Sequence, residues 1–463
     1  MANEASQSIT LKVLVEQENS RVVFVEATKD FVDILFSFMT MPIGTIIRLT
    51  REHLSEGEMS CLKNLYESVE KLDEEYVNSV KCKEDMLLDP QSAAEIYCRN
   101  LKLNLFDGNS NEYYACSDRN CGFVSSYQTV HCRCGKIIDL VVKLSNPISV
   151  PQDRGGVFVK PTTRFMITDD FQVMPLSTMT GLALLRKLVA LNGSKTEEKT
   201  VNIGRDEVLK LLQCSLTSKK PFTETIMKPP LKLASLQKII YGQRSMDQSQ
   251  MVKDTTRKDM AKINLKLIVQ KSCNKALYAE ANEDFVDLIA HFLTFPLGYI
   301  FKEFPYLSSS GCMGNLYKSI KDVDANKYFK SEEMRAILVN PKLASGLAYS
   351  KQIIPIEEAP CPSHSALSSL STVKHSPLRS KSNPTGYGFA KGPNMFMVTD
   401  NLIIKPLSPI LGISLINILN IPLSDIGERK VTMNEDQALH LLAATLVSNS
   451  ALTDVFIRKK EAK

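Results

Sequence analysis

The sequence contains two related copies of one segment, and this repeat limits the possible folds more than any other feature. Residues 11–46 correspond without a gap to residues 265–300, and both carry EA-x-x-DFVD followed by P-x-G. Residues 158–177 and 389–408 form a second pair, which carries F-M-[IV]-TD and ends in PLS. Each copy, at about 200 residues, is long enough to enclose its own hydrophobic core. We therefore predict a tandem duplication of one folded unit.

The first copy begins with a hairpin and a helix. Two strand-like runs, 11–15 and 21–27, flank a polar turn and predict a β-hairpin. Apolar side chains between positions 31 and 39 recur with helical spacing, and Pro42 and Gly44 then end or bend that helix. The second copy repeats this order. A hairpin next to a helix predicts an α+β fold rather than a purely parallel α/β sheet.

Three further pairs of segments extend the repeat. They predict a helix, then a strand–turn–strand unit, then a closing helix: 61–69 with 312–320, 166–175 with 397–406, and 206–218 with 435–448. We place the first repeat unit at 9–227 and the second at 261–458. A basic polar linker, 228–260, joins them, and a Ser/Pro-rich insertion, 359–385, interrupts the second unit.

Composition narrows the class of protein. The apolar fraction of 44% and the charged fraction of 23% are typical of a globular chain. The net charge of +5 does not indicate wholesale nucleic-acid binding. The sequence contains neither an apolar run long enough to span a bilayer nor a basic region ahead of an apolar run at its N-terminus. We therefore expect a cytoplasmic or nuclear protein with reduced thiols and no membrane partner.

Four cysteines cluster in the first copy alone, within the segment 113–136. Their spacing is C-x4-C-x10-C-x-C, formed by Cys116, Cys121, Cys132 and Cys134. Four thiolates from two short turns can surround Zn²⁺ tetrahedrally, which predicts a small zinc-ribbon-like insert with a structural rather than catalytic zinc. His131 is an alternative ligand to one cysteine of the C-x-C pair. Reduced cysteines without metal, and redox chemistry, are the other interpretations.

The second copy has a sparser set of ligand-type residues at this position. It retains Cys361, His364 and His375, and we expect it to fold without metal. Glycines ahead of Lys160 and Lys391 invite a phosphate-loop interpretation, but they do not match G-x-x-x-x-G-K-[ST]. These two lysines remain weak ligand candidates.

Carboxylates shared by the two copies are candidates for general acid–base catalysis. The pairs are Glu26/Glu280, Asp30/Asp284, Asp33/Asp287 and Asp169/Asp400. A structural role is favoured, because the Asp residues of DFVD are predicted in the first turn of a helix and Asp169 and Asp400 in a turn. The histidines are scattered, and His291 and His440 are predicted at a helix surface or core edge. No catalytic residues are assigned.

Taken together, EA-x-x-DFVD with P-x-G, the cysteine cluster, and F-M-[IV]-TD with PLS resemble the plant family called domain of unknown function 674. The resemblance covers nearly the whole chain and implies a plant source and tandem units, but no activity. We predict a non-catalytic protein-interaction or scaffold module with one structural zinc and a protein partner. The alternatives are an enzyme or small-molecule binder with a site between the repeats, and nucleic-acid binding by the zinc ribbon and linker.

Overall fold

The computed structural model describes most of the chain. The described residues are 7–51, 60–105, 112–118, 124–128, 130, 136, 138–143, 156–192, 195–227, 262–309, 311–349, 351–359 and 388–458. The predicted linker 228–260 and nearly all of the predicted insertion 359–385 lie outside this part of the chain.

The described chain is a mixed α+β structure with three antiparallel sheets. The strands are β1 (Ile9–Glu16), β2 (Arg21–Thr28), β3 (Glu112–Cys116), β4 (Val124–Ser125), β5 (Ile138–Lys143), β6 (Arg164–Thr168), β7 (Val173–Pro175), β8 (Thr196–Ile203), β9 (Ile263–Gln270), β10 (Lys275–Asn282), β11 (Met395–Thr399), β12 (Ile404–Pro406) and β13 (Ile426–Met433). The first sheet has the order β7-β6-β2-β1-β8 and the second has the order β12-β11-β10-β9-β13. A smaller sheet has the order β4-β3-β5.

Helices lie between and beside these sheets. The α-helices are α1 (Lys29–Ser37), α2 (Ile43–Thr50), α3 (Ser60–Lys71), α4 (Val80–Cys82), α5 (Glu95–Cys98), α6 (Thr178–Asn192), α7 (Arg205–Thr217), α8 (Glu283–His291), α9 (Leu297–Glu303), α10 (Cys312–Asp322), α11 (Ala325–Tyr328), α12 (Glu332–Val339), α13 (Pro409–Ile418) and α14 (Glu435–Val447). Short 3₁₀ turns occupy Phe38–Thr40, Glu74–Tyr76, Phe292–Thr294, Pro305–Ser309 and Leu423–Asp425, and π turns occupy Lys83–Leu88, Thr223–Met227 and Thr453–Ile457.

The predicted hairpin and helix are confirmed in both halves. Strand β1 alternates buried and exposed side chains over most of its length, so Leu11, Val13 and Val15 point into the core, and it pairs with β2 in antiparallel register. Ser20 takes φ 47° in the turn between them. Helix α1 follows at once and buries Phe31 completely. The alternating strand buries one face of the sheet beneath the amphipathic helix.

The two halves meet at their P-x-G segments. Pro42 and Pro296 form an antiparallel bridge. The amide of Ile43 donates to the carbonyl of Phe295 at 3.0 Å, and the amide of Leu297 donates to the carbonyl of Met41 at 2.9 Å. These reciprocal bonds satisfy backbone groups at the start of α2 and α9, where a helix leaves its first amides unpaired.

Each half contributes a helix to the core of the other half. Helix α3 lies against β12, α8 and α14 of the second half, whereas α10 lies against β7, α7 and α1 of the first. The hydroxyl oxygen of Ser68 accepts from the amide of Ile404 at 3.0 Å, and that of Ser319 accepts from Val173 at 2.9 Å. The predicted helices at 61–69 and 312–320 are therefore confirmed, and each packs on the opposite sheet.

Each hydrophobic core contains residues from both halves, so the cores do not coincide with the two repeat units of the sequence. One cluster combines the inner face of the second sheet with Leu62, Leu65 and Val69 of α3. The other combines the first sheet with Leu316 and Ile320 of α10. Because neither core is complete without the other half, the described halves should unfold as one cooperative unit.

Candidate functional site

The carboxylates that the two halves share occupy corresponding elements of the two halves. Asp30 and Asp284 lie in the first turn of α1 and α8, as predicted. Asp33 and Asp287 do not, because they lie one turn later and are buried. The prediction that the dipole of the first turn explains these two residues was wrong.

Asp33 anchors the loop that returns to the first sheet. Its carboxylate accepts hydrogen bonds from three consecutive backbone amides, those of Val157, Phe158 and Val159, the last two at 2.9 Å and 3.0 Å. Gly156, at φ 64°, places its backbone so close that a Cβ there would lie 3.1 Å from the carboxylate. The arrangement satisfies a row of buried amides that has no strand partner.

Asp287 plays the same part in the second half. It accepts from the amide of Ala390 at 2.6 Å, and a Cβ on Gly388 would lie 1.5 Å from its Oδ2 atom. The glycines ahead of Lys160 and Lys391 therefore permit close approach to a buried carboxylate, which is a structural reason for the sequence that resembled a phosphate loop.

Burial raises the pKa of both carboxyl groups. Desolvation raises the pKa of Asp33 to about 6, although the amides of Val157, Val159 and Phe158 and the charge of Lys29 act to lower it. Desolvation raises the pKa of Asp287 to about 7 against its amide donors, with Asp284 and Glu283 adding to the rise. A carboxyl group that titrates near neutrality is a common mark of a catalytic acid, but structural networks produce it as well.

A second pair of carboxylates fixes the C-terminal turns of each half to the hairpins. Asp169 accepts from the amide of Thr223 at 3.0 Å and from its hydroxyl at 2.6 Å. Asp400 accepts from the amide and hydroxyl of Thr453 at 2.7 Å and 2.8 Å. Burial raises the pKa of both carboxyl groups. Both aspartates lie in a turn after a strand, as predicted, and each carboxylate accepts hydrogen bonds from a threonine.

The remaining shared charges form ion pairs nearer the surface. Asp30 contacts the Lys29 ammonium at 2.7 Å, and Asp284 contacts that of Lys351 at 2.7 Å. Glu280 lies 3.2 Å from the Nζ atom of Lys266 in the second sheet, and its counterpart Glu26 is half-buried in β2. None of these ion pairs brings two of the shared carboxylates together as a catalytic pair.

The backbones of Lys160 and Lys391, the two candidate ligand residues, are hydrogen-bonded to the opposite half. The amide of Lys160 donates to the carbonyl of Tyr328 at 2.9 Å, and its ammonium donates to the carbonyl of Asn326. The amide of Lys391 donates to the carbonyl of Tyr76 at 2.9 Å. The structure thus uses both positions to join the halves.

The cysteine segment is only partly described. Cys116 ends β3, is buried, and accepts from the amide of Asp118 at 3.4 Å through its sulfur. An amide donor to sulfur stabilises a thiolate, so this position suits a zinc ligand. Cys121, Cys132 and Cys134 lie outside the described residues.

The small sheet that carries Cys116 docks on the second half. The hydroxyl of Ser125 donates to the carbonyl of Ser345 at 3.2 Å, and the hydroxyl of Ser345 donates to the carbonyl of Val124 at 2.8 Å. Cys116 itself packs in the core that contains the second sheet. The small sheet is therefore placed where it can brace the contact between the halves.

The prediction that His291 lies at a helix surface or core edge was wrong. It is completely buried, and desolvation lowers its pKa to about 3. Its Nδ1 atom lies 3.0 Å from the hydroxyl oxygen of Thr294, and its ring contacts Phe295, Tyr349 and Phe389. The Nε2 atom and the hydroxyl of Tyr349 have no hydrogen-bond partner among the described residues. The imidazole is therefore a neutral core group.

A small cleft lies between the halves, where a site between the repeats was the alternative expectation. Glu95, Arg99 and Tyr113 line one side, and Ala344 and Ser345 line the other. Its volume of about 20 Å³ holds about one water molecule, which is far below the size of a metabolite site. The carboxylate of Glu95 is already bound to Arg99 at 2.9 Å.

Sequence reasoning missed two surface helices with exposed apolar side chains. Helix α13 and the turn after it expose Ile410, Ile413, Ile418 and Leu423. Helix α6 follows PLS in the first half as α13 does in the second, and it exposes Met179 and Leu182. The signal was present as an unusually apolar run after PLS, but without a polar face it shows no helical periodicity.

Comparison with known protein families matches residues 5–436 to the family described as Protein of unknown function (DUF674). No curated protein and no solved structure matches the chain. Among the described helices, none has the length and apolar character needed to cross a bilayer.

Proposed function

Starting from the fact that the chain belongs to the DUF674 family, we propose that it is a non-catalytic protein-interaction or scaffold module. One observation carries this proposal. The buried carboxylates that both halves share, including Asp33 and Asp287, are used to hold backbone amides rather than directed at a cleft. A catalytic acid or base must reach a reacting group, and these carboxylates face their own loops.

The arrangement of the two halves supports a duplicated scaffold. The two large sheets have equivalent strand orders, and each presents an outer helix, α6 or α13, with exposed apolar side chains. We propose that the halves arose by tandem duplication and that they exchange α3 and α10. Two related faces on one chain offer bivalent binding, which raises the effective concentration at the second contact. We place this scaffold in the cytoplasm or nucleus of a plant cell.

A structural zinc is the further part of this proposal. Cys116 is a buried residue with an amide donor to its sulfur, on a small sheet that docks on the second half. With Cys121, Cys132 and Cys134 it would complete a shell of four thiolates, and such a shell supplies folding energy without an open position for substrate. The first half alone would carry this metal.

We expect no metabolite to stabilise the protein. A thermal-shift screen of the full chain against nucleotides, sugars, amino acids and organic acids tests the non-catalytic assignment directly. A ligand that binds only the folded state raises the melting temperature, and the rise grows with the logarithm of the ligand concentration above the dissociation constant. A reproducible, concentration-dependent rise with one compound class contradicts the proposal and favours the enzyme or small-molecule binder.

Replacing Cys121 with Ser should abolish zinc binding and lower the melting temperature. We expect about one zinc per chain in the wild type by elemental mass spectrometry of protein purified reduced and without chelator. Cys273→Ser is the matched control, because Cys273 is exposed and lies in the β9–β10 turn, away from the cluster. Wild-type protein without metal, or a Cys121→Ser variant with unchanged metal content, would contradict the zinc assignment.

A further inference from the structure

The small sheet brings the ends of its three strands together on the side of Cys116. Cys116, the last residue of β3, pairs with Ile138, the first residue of β5, and Ala115 pairs with Val124, the first residue of β4. In the sequence, the other cysteines of the cluster come shortly before β4 or β5, namely Cys121, Cys132 and Cys134. A metal held by the four cysteines would therefore fix the ends of all three strands at once.

The same sheet holds a loop of the second half, residues 343–349, which we call the Ser345 loop. The carbonyl of Ser345 accepts from the hydroxyl of Ser125 at 3.2 Å and from the amide of Ser126 at 3.3 Å. The hydroxyl of Ser345 donates to the carbonyl of Val124 at 2.8 Å. These hydrogen bonds join the loop to β4, whose first residue lies beside the end of β3 that carries Cys116.

Apolar side chains of the small sheet and of the Ser345 loop share one core. The core that contains the second sheet includes Ile138 and Tyr127 of the first half together with Leu343 and Leu347 of the loop. The hydroxyl oxygen of Tyr127 accepts from the amide of Gln91 at 2.8 Å, which ties the chain after β4 back to the first half. The position of the loop therefore depends on the position of the small sheet.

Gly346 permits the close approach of the loop to the sheet. It takes φ 101°, a conformation that side chains other than glycine rarely adopt. A Cβ added there would overlap the Oγ atom of Ser125 and lie 3.5 Å from the ring of Tyr127. A substitution at Gly346 should therefore separate the loop from the sheet without altering a cysteine.

The Ser345 loop also holds the chain at the start of the predicted Ser/Pro-rich insertion. The carboxylate of Glu358 accepts from the amides of Gly346 and Ala348 at 2.9 Å and 2.7 Å. The amide of Ala359 donates to the carbonyl of Leu343 at 2.7 Å. A continuous set of contacts thus leads from Cys116, through the small sheet and the loop, to residue 359.

From these contacts we infer that zinc bound by the cysteines of the first half orders the Ser345 loop of the second half and, with it, the base of the insertion. The inference rests on the structural zinc of the proposed function and goes beyond it, because it names a place in the other half that responds to the metal. Coupling between two sites is reciprocal. A change in the loop must therefore alter the affinity for zinc by the same factor.

Gly346→Ala in the full chain tests this reciprocity. We expect the variant to bind zinc about tenfold more weakly than the wild type, measured by competition with a chelating dye under reducing conditions. Gly311→Ala is the matched control in the second half, because a Cβ added there lies within 4 Å of no other atom in the described part of the chain. It should bind zinc as the wild type does. Circular dichroism checks that both variants are folded.

Hydrogen exchange of the wild type gives a second readout that needs no variant. Removing zinc with a chelator should speed amide exchange about tenfold in the Ser345 loop as well as in β3–β5, and leave β1 and β2 unchanged. Faster exchange confined to the small sheet overturns the inference, as does a folded Gly346→Ala variant with the zinc affinity of Gly311→Ala. In both cases the zinc of the proposed function stands. Wild-type protein without zinc instead contradicts that zinc, and the inference falls with it.

Discussion

Replacing Leu316 with Ala is expected to lower the free energy of unfolding of the whole chain by about 3 kcal/mol. Leu316 belongs to the second half by sequence, but it is completely buried in the core of the first sheet. Truncation removes apolar contacts and leaves a cavity in that sheet's core. Leu65, which is buried in the core of the second sheet, should give a loss of similar size.

Urea unfolding with native-state hydrogen exchange reads both the size and the location of the effect. For Leu316→Ala we expect one cooperative transition and reduced protection in β7, the strand that α10 contacts. Leu423→Ala is the control, because that side chain is 77% exposed and its truncation should cost less than about 0.5 kcal/mol. Two separate transitions, with β7 unaffected, would show that the halves are independent and contradict the exchange of helices.

The sequence contained enough information to predict the local elements but not their partners. The hairpin, α1 and the closing helix α7 are confirmed, because their apolar spacing is strong and recurs in the second half. The side on which α3 packs could not be predicted. The repeat gives both sheets similar inner faces, so Leu65 suits either sheet, and only the path of the chain decides between them.

Strands β8 and β13, each at one edge of a large sheet, escaped prediction for a different reason. Among the described strands, β8 pairs with β1 alone, and it carries exposed Glu197 and Glu198. Charged edge strands protect a sheet against unwanted pairing, and the same charges remove the alternation by which a strand is recognised. Helix α13 was missed because it has no polar face: both of its sides carry Ile or Leu.

The buried carboxylates of Asp33 and Asp287 were found in the sequence but given the wrong explanation. Asp33 lies between Val32 and Ile34, and Asp287 is flanked in the same way by apolar residues. A carboxylate inside an apolar run, rather than at its start, indicates a buried acceptor with nearby donors. The donors themselves come from a loop more than a hundred residues later, and that distance puts them beyond local sequence reasoning.

The stability of the wild type relative to Asp287→Asn should fall as pH rises from about 4 to 7. The folded protein holds the Asp287 proton up to about pH 7, whereas the unfolded chain releases it near the ordinary value of 3.8. Between these values the folded state binds more protons, so stability decreases with pH. The full effect is on the order of 4 kcal/mol, at about 1.4 kcal/mol for each unit of pKa difference.

Comparing the two proteins isolates this carboxyl group from the others around it. Asp284 and Glu283 face it and remain in both proteins, as does buried His291, whose lowered pKa acts in the opposite direction by reducing stability as pH falls below 6.5. Urea unfolding at half-unit steps from pH 4.5 to 7.5 gives the slope of the difference. Parallel curves for wild type and Asp287→Asn would mean that the anchor stays ionised throughout, and that its amide donors outweigh the cost of burying the charge.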